Sequence, residues 1–144
     1  MLDPFVGAEH SGSGALSANA LFEEAVSLAA TICDEWCRES GHQLVLAVGG
    51  RQPTVLGGTT SASFRQRLLE CLATVSAERE AAHGALIAAL PRRRLPRAAV
   101  LVIGIQANAT AQALSTALRR AVAAVELSGE QVYDFYERVP AHAP

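Results

Sequence analysis

Residues 98–105 read Ala-Ala-Val-Leu-Val-Ile-Gly-Ile, eight positions without a polar side chain. A strand with one face in water alternates apolar and polar residues, whereas an unbroken aliphatic run suits a strand covered on both faces, as in a parallel sheet flanked by helices. The run is far short of the roughly 20 residues that cross a bilayer. It therefore calls for a layered α/β architecture, and the rest of the chain must supply the covering helices.

The helices are visible as periodicity. Between Asn19 and His42, Leu21, Phe22, Ala25, Val26, Ala29, Ile32, Cys33, Trp36 and Cys37 recur at intervals of three and four, with Glu23, Glu24, Ser27, Asp34, Glu35 and Arg38 opposite. This predicts an amphipathic helix capped by Asn19 and closed by Gly41. A second helix is expected from about Ser61, with Phe64, Leu68, Cys71, Leu72 and Val75 on one face, and a third from Ala77 to Leu90, where Pro91 stops it. A fourth, from Asn108 as its cap, follows the apolar run.

Between the first two helices, His42–Val48 and Thr54–Gly58 bracket a Gly- and Pro-containing loop and read as an antiparallel hairpin. A last short strand through Leu127 precedes a turn or short helix with Tyr133, Phe135 and Tyr136, a cluster suited to covering a sheet edge. The order is strand, helix, hairpin, helices, strand, helix, strand, a doubly wound α/β pattern in one domain over residues 1–144.

With 144 residues, half of them apolar, the chain can bury a core without disulfides or metal. A net charge of -2 sets up no field for nucleic acid or an anionic membrane, so neither is expected as a partner. The dense basic run at Arg92, Arg93, Arg94 and Arg97 fits a solvated loop, or an acidic protein surface. Three cysteines without an N-terminal signal pattern point to a reducing, cytoplasmic setting.

The stretch Leu21–Gly50, with its Glu-Glu-Ala-Val-Ser-Leu-Ala-Ala helix leading to a glycine, an apolar strand and Gly49-Gly50, followed by residues 68–80 and Val100–Gly104, resembles the C-terminal portion of the domain of unknown function 58 family. The resemblance spans roughly residues 1–130. It implies a von Willebrand factor A-like module: three layers around a mostly parallel sheet with one antiparallel edge hairpin, often accompanying a MoxR-type AAA+ ATPase. The family's upstream Gly-Asp, Arg and Asp-Trp signature is missing, so the chain reads as a fragment or a reduced relative. Only Met1 and Leu2 precede the acid that matches, Asp3, which predicts a short first strand whose neighbours are covered by another chain, a route to homo-oligomers.

Modules of this kind bind metal through an Asp-x-Ser-x-Ser loop, a threonine and a further acid. Here the loop reads Asp3-Pro4-Phe5-Val6-Gly7, with Phe5 and Gly7 at the serine places, and the third loop offers Gly104 or Gln106. Ser11 and Ser13 lie further on, and Thr59 and Thr60 suit the second loop. One carboxylate is poor provision for a hard divalent cation, so no metal is expected. Asp3 is better read as accepting hydrogen bonds from a glycine loop or a helix N-terminus.

Cys33 and Cys37 share a helical face but lack matched partners among His10, His42, His83 and His142, which favours buried thiols over zinc. No Gly-x-Ser-x-Gly elbow surrounds Ser13, and the Gly12-Ser13-Gly14 run lacks the third glycine of a dinucleotide loop. No catalytic residue and no cofactor is expected. The function that follows is a non-catalytic interaction or assembly module, its surface at the carboxyl ends of the strands around Asp3, Ser11, Ser13, Thr59, Thr60 and Asn108. The alternative is a metal-dependent or small-ligand-binding domain, or an enzyme, using the same crevice.

Overall fold

The structure is a computed structural model that describes residues 1–4, 18–78, 82–91 and 99–127. Among these residues the chain is a mixed α/β structure of four helices and two small sheets. The order is α1 (Ala18–Trp36), β1 (Gln43–Val48), β2 (Thr54–Thr59), α2 (Ala62–Ala73), α3 (His83–Ala89), β3 (Leu101–Gly104), α4 (Ala107–Leu118) and β4 (Ala123–Glu126). β1 and β2 form the predicted antiparallel hairpin, in register from Gln43↔Thr59 to Val48↔Thr54, and β3 pairs with β4 in parallel.

Leu2 links the two sheets. It makes parallel bridges to Val48 on one side and Ile103 on the other. Its N–H donates to the Ala47 carbonyl and its carbonyl accepts from Gly49, both at 2.9 Å, while the Asp3 N–H donates to Ile103 at 2.8 Å and the Ile103 N–H to Met1 at 2.9 Å. The side chain of Leu2 is fully buried.

Alternation along the strands divides the apolar residues between two cores. Leu46, Val48 and Ile103 join Leu2 in one, with Leu21, Phe22, Ala25, Ala29 and Cys33 of α1 and Phe64, Leu68 and Leu72 of α2. Ala47 and Val102 join the other, with Leu86, Leu90 and the α4 residues Ala107, Ala111 and Leu114. The apolar run is thus covered on both faces, as its composition requires.

Several local expectations hold and others shift. Ser61 caps α2, its hydroxyl accepting from the Phe64 N–H at 3.2 Å. Asn19 lies inside the first turn of α1 and is no cap; Gly41 does take a left-handed φ of 97°, but beyond the helix end, where its N–H donates to Thr60. α3 is shorter than its periodicity, running from His83 to Ala89, and the Glu78 N–H before it donates to the Pro4 carbonyl at 2.8 Å. Trp36, expected on the buried face of α1, is 51% exposed at the last residue of the helix. The cluster Tyr133, Phe135 and Tyr136 and the arginines 92–94 and 97 lie outside the described residues.

Gly104 shows how tightly the joint at Leu2 is drawn. A Cβ at this position would stand 2.8 Å from the Asp3 carbonyl oxygen and 2.9 Å from the Asp3 Cβ. Because the nearer atom is backbone held in the bridge, it cannot swing away. Gly104→Ala is expected to destabilise the fold by about 1–3 kcal/mol, lowering Tm by roughly 3–10 °C in a calorimetric melt. Gly84→Ala, whose Cβ would meet nothing within 4 Å, serves as the control and is expected to leave Tm unchanged or slightly raised.

Candidate functional site

At the carboxyl end of the bridging segment the chain places Asp3, only 7% exposed. The Thr110 hydroxyl, from the first turns of α4 and 1% exposed, donates to its Oδ2. The same hydroxyl oxygen lies 3.0 Å from Nδ1 of His83, the first residue of α3. A threonine hydroxyl has one hydrogen, and here it is spent on Asp3. The His83 contact therefore requires Nδ1 to donate. Asp3, Thr110 and His83 form a chain of hydrogen bonds joining the bridging segment to α4 and α3.

Beside it, the N-terminus of α4 is held by a strand residue. Glu126, the last residue of β4, accepts from the Asn108 N–H at 3.1 Å. A carboxylate is favoured there, because the first-turn amides lack helical partners and carry the positive end of the dipole. Asn108, predicted as the cap, is exposed in the first turn of α4 and contributes its backbone instead.

The expected crevice divides. Asp3 and Asn108 lie at the carboxyl ends of the parallel strands, with the exposed Arg51 and Gln52 of the hairpin turn at the same end. Thr59 and Thr60 do not join them. β2 runs antiparallel, so Thr59 pairs with Gln43 at the start of β1, five residue steps and roughly 17 Å from Val48 and the Leu2 bridge. Thr59 accepts there from Gln43 Nε2 at 2.7 Å, and the buried Thr60 hydroxyl donates to the Glu39 carbonyl at 2.6 Å and accepts from the His42 N–H at 3.0 Å. Both serve the α1–β1 junction. Ser11 and Ser13 lie outside the described residues.

Sequence reasoning passed over Thr110, His83 and Glu126. Thr110 carried one usable signal, a hydroxyl placed just inside a helix that follows a buried strand; the other two depend on tertiary placement. Among the described residues no three His, Cys, Asp or Glu side chains gather as a metal-binding group, and no helix is long and apolar enough to cross a membrane. No family model, curated protein or solved structure matches the chain.

The cysteines belong to the core. Cys33 and Cys37 are buried and Cys71 half-buried, all as free thiols. Burial pushes the Cys33 thiol up from 9.0 to about 11 and raises Cys37 and Cys71 as well. A thiol that keeps its proton in the fold and loses it on unfolding favours the folded state only while both forms are protonated. Stability is therefore expected to be level in this respect up to about pH 9 and to decline as pH rises toward 11, with Cys33→Val flattening the decline; denaturant melts across that range measure it.

Thr110→Val keeps the shape of the side chain but removes a donor from a buried carboxylate. It is expected to cost about 1–3 kcal/mol, while Thr110→Ser, which keeps the hydroxyl, costs less; paired denaturant melts at neutral pH separate the two.

Proposed function

We propose that the chain is a non-catalytic interaction module with a doubly wound, three-layer architecture of the von Willebrand A kind, working with a MoxR-type AAA+ ATPase. The order β2, β1, Leu2 segment, β3, β4, with the bridging segment parallel to both neighbours and β2 antiparallel at an edge, supports that architecture. So do the two cores drawn from alternate strand residues.

The observation that carries the reading is the state of Asp3. In a metal-dependent module this carboxylate faces the ligand; here it is buried and engaged by Thr110 from within the fold. Among the described residues that end presents the exposed polar positions Arg51, Gln52 and Asn108, which suit recognition of another protein. A cavity among the described residues opens at the opposite end of β1, away from Asp3.

Arg51→Glu and Asn108→Arg change only exposed side chains. Each is expected to weaken binding to a purified, nucleotide-loaded MoxR-type ATPase at least tenfold in biolayer interferometry, with Tm held within about 1 °C. Undiminished binding by both variants, or no binding by the parent chain, overturns the reading.

A further inference from the structure

We draw no further inference here: the strongest candidate, the hydrogen-bonded side-chain cluster of Asp3, Thr110 and His83 where the bridging segment meets α4 and α3, belongs to the site already described, and nothing among the described residues shows a ligand for it.

Discussion

The backbone bonds on either side of Leu2 hold this molecule together. Among the described residues the hairpin β1–β2 and the pair β3–β4 have no strand contact except through this residue, whose peptide groups bond to Ala47 and Gly49 on one flank while those of Met1 and Asp3 bond to β3 on the other. Each bond is worth only about 1 kcal/mol net. Their effect is larger than that sum, because they bring the α1–α2 core and the α3–α4 core onto opposite sides of one shared surface. Gly104 marks how close the approach is, and Leu2 is buried completely within it.

The parts of the fold governed by local rules were legible in the sequence. The hairpin followed from two apolar runs around a Gly-Pro loop, the α2 cap from Ser61, and the buried β3 from its unbroken composition. What failed were assignments in which a tertiary partner competes with a local one. Asn108 is a good cap by residue type, but the Glu126 carboxylate, 18 positions away, takes the amide end of α4. Thr59 and Thr60 were grouped with Asp3 by analogy of loop order, yet the antiparallel course of β2 carries them to the other end of the sheet. Trp36 kept the period of the buried face but stands half exposed at the last residue of its helix.

The environment of Asp3 explains how a carboxylate can sit 7% exposed. A buried charge is costly unless hydrogen bonds offset the lost water. Thr110 provides one such bond, and His83, through its own N–H, holds the threonine hydroxyl in the direction that serves the carboxylate. The chain of three thereby ties the helices of one core to the segment that joins both sheets. The residue that first suggested an ion site thus acts as a fastener between layers.

The position of the bridging segment also sets the order in which the molecule can assemble. It precedes α1 and the hairpin in the sequence, yet the Met1 nitrogen finds its partner on Leu101, 100 residues later. During synthesis α1, the hairpin and α2 can meet early through contacts between neighbours in sequence, but Leu2 cannot be held on both flanks until β3 has been produced. Contacts this distant in sequence carry a loop-closure cost that slows folding. Until they form, the inner edge of β1 and the apolar face of α1 stay open together, and the nascent chain passes through a stage in which its stickiest surfaces wait for β3 and β4.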